Sequence, residues 1–210
     1  MKYPSDHKAN TRRRVLQEAA KAIWADGVEG IAIAPVMAAA GLTVGGFYAH
    51  FKSRDDLIAE AVSFMFEERY ASFFARIDIP DPRDALGRFV DYYVSMRHRD
   101  ATVGGCPIPT LAGQVPSLPS AARERFMLAV ERLTDGVTGL LEAMGTGEAP
   151  AVAASAMAEM IGAVSLSRLT RDAVKAEELL EDARRSVRRK LGLDSTDAEA
   201  LARTQENRAN

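Results

Sequence analysis

Apolar residues recur at helical spacing along most of the chain, in runs that end at glycine, proline or short polar stretches. Spacings of three and four residues are typical of helices with one buried face. The sequence therefore predicts an all-α protein of about nine helices, with an N-terminal three-helix head and a C-terminal helical body. The predicted helices cover residues 10–26, 35–40, 43–51, 53–76, 82–98, 108–112, 120–144, 151–172 and 176–191.

The pattern divides the chain into a head over residues 8–68, a body over residues 69–193 and a polar, flexible tail over residues 194–210. Residues 1–9 are also polar and are predicted to fray. The last two helices of the body each carry an apolar stripe, and the first of them is rich in small residues and methionine. Such paired stripes favour a four-helix seam between two subunits; the alternative is packing within one chain only.

Residues 38–61 have the punctuation of a helix-turn-helix. Gly41 provides the backbone freedom that a tight turn needs, and Thr43 stands where its hydroxyl would cap the next helix. Phe47 and Phe51 lie four residues apart and share one face of that helix, whereas the residues between them point elsewhere. One face would anchor the helix in the head, and another would contact a partner.

Charge is distributed unevenly along the chain, although its formal total is only −2. Residues 1–54 contain eight Lys or Arg against four Asp or Glu, and the remainder contains 19 against 25, so that a head of formal charge +4 precedes a body of −6. A basic head suits contact with phosphate. Arg12, Arg13 and Arg14 would fall in the first turn of their helix, where the helix dipole disfavours cations. Contact with DNA phosphates is one explanation for them, and a solvated basic turn is the other.

The helix-turn-helix residues resemble the TetR family of bacterial transcriptional regulators. That family has a small residue and glycine at the end of one helix, then Ser or Thr, a variable triplet, an aromatic residue, Tyr, His, a second aromatic residue and Lys. The matching residues here are Ala40, Gly41, Thr43, Val44, Gly45, Gly46, Phe47, Tyr48, His50, Phe51 and Lys52. The chain departs from the family at Ala32 and Ile33, where a Thr or Ser cap is usual, so the second helix is expected to begin with a weak cap.

The resemblance implies a homodimer that presents two third helices to successive major grooves of a palindromic double-stranded DNA operator. It places Arg12, Arg13, Arg14, Thr43, Tyr48 and Lys52 on phosphates, and Val44, Gly45, Gly46 and His50 at bases. Each of the two glycines costs about 1 kcal/mol of helix propensity relative to alanine. Either their missing side chains let the backbone approach the base edges, or the helix is marginal and orders only on DNA. Without its place in the motif, His50 would be an ordinary surface histidine.

The family also implies a body that binds a ligand, and the predicted effector is a small apolar or electrophilic molecule. Candidate lining residues are apolar or aromatic at helical spacing, which is equally typical of plain core: Met65, Phe89, Tyr92, Tyr93, Met96, Phe126 and Met127. Cys106, between Gly105 and Pro107, is either an exposed sensor thiol or a small buried packing residue. A Cys106→Ser variant with an intact response to electrophiles and oxidants would contradict the sensor alternative.

The sequence indicates no catalytic chemistry. The three histidines, His7, His50 and His98, lack metal-ligand spacing with one another or with the cysteine, and there is no phosphate-binding glycine loop. We therefore expect no catalytic residues, no metal and no cofactor. A single cysteine fits a reducing compartment, and no apolar run is expected to reach the length of a membrane span. The predicted location is the cytoplasm.

The predicted function is that of a ligand-responsive transcriptional repressor, which its effector releases from DNA. Activation instead of repression would depend on where the operator lies relative to a promoter, which the residues do not encode. The alternative from another class is a helical small-molecule carrier or enzyme that retains a non-functional helix-turn-helix head, which the side-chain-poor residues 44–46 leave open. Salt distinguishes the two, because binding through phosphates weakens steeply as salt is added.

Overall fold

The computed structural model describes residues 4–101 and 105–194, apart from the side chains of residues 4–6 and 72–77. The predicted tail therefore lies, from residue 195 onward, outside the described residues. All regular secondary structure in the described part of the chain is helical, as predicted. The elements are α1 (Pro4–Asp26), α2 (Ile33–Ala39), a 3₁₀ helix (Val44–Ala49), α3 (Arg54–Ile77), α4 (Pro82–Tyr93), α5 (Met96–Asp100), α6 (Pro107–Leu111), a second 3₁₀ helix (Ala112–Ser117), α7 (Ser120–Ala143), α8 (Ala149–Ser167) and α9 (Ala173–Lys190).

The chain forms two compact units. The first contains Met1–Ala75 and Asp100–Leu133, and it joins the predicted head to α6 and the first part of α7. The second contains Arg76–Arg99 and Thr134–Asn210. Both α3 and α7 begin in the first unit, and their last residues belong to the second.

The predicted apolar stripes form the core of the first unit. α1 packs on α2, and α2 packs on the first 3₁₀ helix. Each buried aliphatic or aromatic side chain stabilises the folded state by about 1.5 to 3 kcal/mol relative to an exposed one. The buried side chains include Val15, Ala19, Ile23, Val36, Met37, Phe47, Phe51, Leu57, Ile58, Val62 and Met65.

α1 begins at Pro4, earlier than the predicted start at residues 10–11. The prediction was wrong because residues 7–10 are exposed and carry no apolar stripe by which this part of the helix could be detected. Proline is tolerated in a first turn, since the N–H that it lacks would have no helical partner there. Arg12, Arg13 and Arg14 consequently lie inside α1 and not in its first turn. The helix dipole acts on the terminal turns and so does not disfavour them.

The third helix is a 3₁₀ helix and not the predicted α-helix over residues 43–51. Gly45 and Gly46 both weaken an α-helix, and 3₁₀ geometry is common in such short pieces. Thr43 occupies the N-cap position as predicted, but its hydroxyl makes no capping hydrogen bond, so its capping role was wrong. α2 also begins without a side-chain cap, at Ala32, as the sequence indicates.

The predicted helix over residues 82–98 is divided into α4 and α5. Asp81 caps α4 as predicted, accepting a backbone N–H at 2.9 Å. The break lies at Val94, and Ser95 stabilises both sides of it: its hydroxyl donates to the Tyr92 carbonyl at 2.7 Å and accepts from the His98 N–H at 3.2 Å. Apolar spacing continues across the break and concealed it. The available signal was Ser95, a residue type favoured at N-caps.

In the second unit α8 packs along α9, and α4 contacts both. These two helices, predicted over residues 151–172 and 176–191, are observed at Ala149–Ser167 and Ala173–Lys190. Asp172 was predicted to end the first of them, but it caps α9 by accepting backbone N–H groups at 3.0 and 3.3 Å. α8 has 19 residues and contains an 18-residue window of mean hydropathy 1.4, so by length and composition alone it could cross a membrane. This finding differs from the sequence-based prediction, in which no apolar run reaches that length. Its Glu159 forms an ion pair with Lys190 of α9, and 39% of the window is buried against protein. One face of α8 is thus a core face of the second unit.

Candidate DNA-binding surface

The turn after α2 sets the direction in which the chain enters the third helix. Gly41 has a φ of +69°, the left-handed conformation that glycine adopts without strain. The Gly41 N–H donates to the Ala38 carbonyl and the Leu42 N–H to the Met37 carbonyl, each at 2.9 Å. These two bonds form a Schellman motif, which satisfies the last carbonyls of α2. The predicted tight turn at Gly41 is confirmed.

Residues 43–50, which we call the recognition segment, have one buried side and one exposed side. Phe47 is fully buried, and its ring centroid lies 5.6 Å from that of the buried Phe51. Tyr48, by contrast, is 73% exposed and Val44 is 50% exposed. The segment is therefore anchored by its aromatic core face and presents Val44 and Tyr48 to solvent.

The glycines of the recognition segment are not required by the fold. A β-carbon at Gly45 would meet no atom within 4 Å, and one at Gly46 would meet only the Met37 methyl at 3.8 Å. Neither residue has a positive φ. Because space and backbone both admit a side chain, the free protein offers no reason for glycine at these positions.

The three predicted phosphate-binding arginines differ in their surroundings. Arg12 forms an ion pair with Glu60 (Nη1 to Oε2, 3.1 Å), and its guanidinium lies 4.8 Å from the centre of the Phe51 ring. Arg13 forms an ion pair with Glu68. Arg14 is exposed and has no charged or hydrogen-bonding partner within the described ranges. In the unbound chain Arg14 is therefore the most available of the three.

His50, at the end of the recognition segment, lies in a positive electrostatic environment. Partial burial, and then the charges of Lys8 and Arg12, lower its pKa below the ordinary value of 6.5. Its Nδ1 is buried and has no hydrogen-bond partner among the residues that the structure describes. Lys8 belongs to the part of α1 that sequence periodicity missed. An anion would be favoured at this position.

Two residues that the sequence analysis did not single out hold the head together. Arg54 donates to the carbonyls of Ile31 (2.8 Å) and Val28 (2.9 Å), and it fixes the loop between α1 and α2. Gln114, in the second 3₁₀ helix, accepts from the Val28 N–H at 3.0 Å. Its side chain thereby blocks the space beside Gly27, where a β-carbon would meet its oxygen at 2.6 Å.

Lys52, predicted to bind phosphate, is exposed next to the recognition segment.

The candidate effector-binding residues are divided between the two units. Met65, Phe126 and Met127 belong to the first unit, where the first two are buried and Met127 is 46% exposed. The other four candidates belong to the second unit: Phe89, Tyr92, Tyr93 and Met96. Tyr93 packs against Phe89 (5.5 Å between ring centroids) and against the buried His98 (4.5 Å), which is not one of the candidates.

Cys106 is buried and occupies the N-cap position of α6. The pKa of Tyr70 is raised, first by burial and then by the neighbouring Cys106. The position favours the packing alternative over an exposed thiol, and a sensor role stays a prediction. Among residues 4–101 and 105–194, no group of three or more His, Cys, Asp or Glu could hold a metal ion.

Two family models match this chain. The model described as "Bacterial regulatory proteins, tetR family" matches residues 15–61, and the one described as "Tetracyclin repressor-like, C-terminal domain" matches residues 82–187. No match was found among curated proteins. The solved structure of a TetR transcriptional regulator from Chloroflexus aurantiacus J-10-FL is 29% identical, with a TM-score of 0.73 over 87% of this chain and 94% of that chain.

Two further solved structures are similar. A TetR family transcriptional regulator from Agrobacterium tumefaciens is 26% identical, with a TM-score of 0.70 over 85% of this chain and 98% of that one. The reduced form of E. coli NemR is 19% identical, with a TM-score of 0.73 over 86% and 96% of the two chains, which supports the fold alone. A helix-turn-helix head followed by this helical domain defines a DNA-binding transcriptional regulator. The chain belongs to the TetR family of these regulators.

Proposed function

We propose that this protein is a cytoplasmic, homodimeric repressor that binds a palindromic operator and is released by a small apolar or electrophilic effector. The recognition segment is the observation that carries the proposal. It is fixed to the core by Phe47, exposes Tyr48 and Val44, and carries two glycines that packing does not require. Such a surface suits close contact with base edges and the methyl group of thymine.

The cations beside the recognition segment supply the phosphate contacts in this proposal. Arg14 and Lys52 are exposed, and Lys8 and Arg12 lie close enough to His50 to lower its pKa after the effect of burial. Phosphate contacts fix the register of the protein on the duplex, whereas Val44, the glycines and His50 would be at the bases. Tyr48 and Thr43 would donate hydroxyl hydrogen bonds to phosphate oxygens.

Homodimerisation is supported by the uncovered face of α8. Ala154, Ala158 and Leu166 of α8 are exposed within one chain, and so is Leu169 in the turn that follows the helix. An exposed apolar surface of this kind marks an interaction site, and a second copy of the same helix would bury it. Two subunits would then present their recognition segments to two half-sites of one operator.

The salt dependence of binding to mixed-sequence duplex DNA tests the proposal. If several Lys and Arg side chains contact phosphates, log K should fall linearly with log[salt], with a slope of about −0.9 per contact. A carrier or enzyme with a relic head should show no such DNA affinity at low salt. Retention of a ligand by the protein, with no binding to DNA at any salt concentration, would favour that alternative.

A Gly45→Ala variant should be more stable than wild type and should bind operator DNA more weakly. Alanine lowers the conformational entropy of the unfolded chain and so stabilises the fold by about 0.4 to 1 kcal/mol, and the β-carbon has free space in the unbound protein. The same carbon would occupy the space that a base edge needs, and a loss of operator affinity of roughly tenfold or more is expected from displacing such contacts. Thermal unfolding and operator titration would measure the two effects.

Gly139→Ala is the matched control. Gly139 lies inside α7, and its added β-carbon would also meet no atom within 4 Å. It should therefore raise stability by a similar amount and leave operator affinity unchanged. If Gly45→Ala also left operator affinity unchanged, close approach at the recognition segment would be wrong.

Operator affinity should rise as the pH falls from about 8 to about 6, because His50 would gain a proton on binding. In the unbound protein burial, Lys8 and Arg12 lower the pKa of His50. The negative charge of the operator near His50 would raise this pKa, so the bound state would hold the proton more tightly than the free state. His50→Gln should remove most of this pH dependence in a fluorescence anisotropy titration. An unchanged pH profile in the variant would place the titrating group elsewhere.

Release by the effector follows from linkage in this proposal. A ligand that favours a state unable to span both half-sites must bind less tightly when operator is present, by the same factor by which it weakens operator binding. Candidate ligand contacts are residues 65, 126 and 127 in the first unit and residues 89, 92, 93 and 96 in the second. Equal ligand affinity with and without operator would rule out this mechanism.

A further inference from the structure

Glu60, on α3, joins two arginines from two other helices of the first unit. Its Oε2 accepts from Arg12 of α1 at 3.1 Å, and its Oε1 accepts from Arg125 of α7 at 3.0 Å. Arg125 also donates to the hydroxyl of Ser63, one turn further along α3, at 3.2 Å. One carboxylate is thus shared between the helix that carries the predicted phosphate-binding arginines and the helix that continues into the second unit.

The net charge of this three-residue cluster depends on Arg125. Partial burial alone would raise the pKa of Glu60, but the hydrogen bonds from Arg125 and Arg12 outweigh it and hold the pKa below its ordinary value. The carboxylate is therefore ionised at neutral pH. Two guanidinium groups and one carboxylate leave a net charge of +1. If Arg125 were absent, Arg12 and Glu60 would form a neutral pair.

Arg12 connects the cluster to the DNA-binding surface. Its guanidinium lies over the ring of Phe51, which packs against Phe47 of the recognition segment, and its charge contributes to the lowered pKa of His50. Only one of its five N–H donors is used on Glu60, through Nη1. The other donors are available to a phosphate, provided that the positive charge is not cancelled.

We infer that Arg125 supports operator binding without touching DNA, by neutralising Glu60 so that Arg12 keeps a net positive charge for an operator phosphate. The inference rests on the proposed function. Arg125 and Glu60 are positioning residues in it, and Arg12 is the contact. A movement of α7 that separates Arg125 from Glu60 would weaken the operator complex in the same way as removal of Arg125.

Three variants test the inference on the palindromic duplex that the wild-type protein selects. Arg125→Gln should weaken operator binding by roughly twofold to thirtyfold, the range found for residues that act through a network. The slope of log K against log[salt] should become shallower by up to about 0.9 per subunit, since one phosphate contact is weakened. Glu60→Gln keeps an acceptor for Arg12 but removes the negative charge, so operator binding should tighten. In the double variant the loss caused by Arg125→Gln should disappear.

The double variant separates this mechanism from a structural role, because general destabilisation of α7 would weaken binding whether or not residue 60 is charged. Arg125→Lys retains the charge and should preserve most of the affinity. Arg123→Gln is the matched control on the same helix, where Arg123 donates to the Pro116 carbonyl at 2.9 Å, and it should not change the operator affinity. If Arg125→Gln fails to fold, the tighter binding of Glu60→Gln still tests the inference, since misfolding cannot produce it.

An Arg125→Gln variant that binds as tightly as wild type, or an equal loss in the presence and absence of Glu60, would overturn the inference. A Glu60→Gln variant that binds no more tightly would do the same. Failure of the wild-type protein to select any palindrome is a different result, which would overturn the proposed function instead.

Discussion

A Leu166→Asp/Leu169→Asp variant should be monomeric and should bind its operator at least a hundredfold more weakly than wild type. The two leucines are 56% and 81% exposed in a single chain, so the substitutions leave the fold of the subunit intact. In a dimer sealed by α8, the aspartates would lose their hydration without gaining a partner. Without the second subunit the complex would lose the avidity of two linked half-sites, which is of the order of 10² to 10⁴. Sedimentation velocity and operator titration measure the two effects.

Leu128→Asp provides the control for this prediction. Leu128 lies on α7 and is 66% exposed, so the chemical change and the starting exposure are similar. The control should remain dimeric and should bind the operator normally. A double variant at residues 166 and 169 that sedimented as a dimer would show that the exposed surface at the end of α8 is not the interface.

Tyr48→Ala should weaken operator binding strongly while leaving stability nearly unchanged. Tyr48 is 73% exposed, and its ring in the unbound protein makes an edge contact with the Phe47 ring, at 5.2 Å between centroids. A lost contact to DNA costs about 1 to 3 kcal/mol per subunit, and twofold symmetry doubles it, so a loss of roughly thirtyfold to 10⁴-fold in operator affinity is expected. The measurement is an operator titration beside a thermal unfolding curve.

Phe47→Ala is the informative comparison at the adjacent position. Phe47 is fully buried, so its truncation should reduce the free energy of unfolding by about 3 to 5 kcal/mol and should lose DNA binding through loss of the folded head. If Tyr48→Ala destabilised the protein as much as Phe47→Ala, its effect on DNA could not be assigned to a contact. If it bound operator as tightly as wild type, Tyr48 would not be part of the interface.

The sequence was most informative where a face of a helix is buried. Burial of Val15, Ala19, Ile23, Phe47 and Phe51 follows directly from spacing, because one buried face imposes helical periodicity on apolar residues. The first turns of α1 could not be predicted in this way, since residues 7–10 are exposed and carry no apolar stripe. The break between α4 and α5 was missed for the opposite reason, because apolar spacing continues through it.

The motif identified the residues of the candidate site but not their partners. Spacing indicates that Tyr48 and Phe47 face different ways, and the structure confirms this. It could not indicate that Arg12 and Arg125 share Glu60, since these contacts join residues 48 and 65 positions apart. Gln114, which accepts from Val28 across 86 positions, is a further case. Long-range polar contacts leave no periodic trace in a single sequence.

Selection from random duplex DNA by the wild-type protein and by Tyr48→Ala, each at a low and a high salt concentration, tests the proposed function most directly. A palindrome that wild type enriches at low salt, that high salt weakens and that Tyr48→Ala fails to enrich is the expected result. The proposal is contradicted if wild type enriches no sequence at low salt, or if the variant enriches the same palindrome equally well.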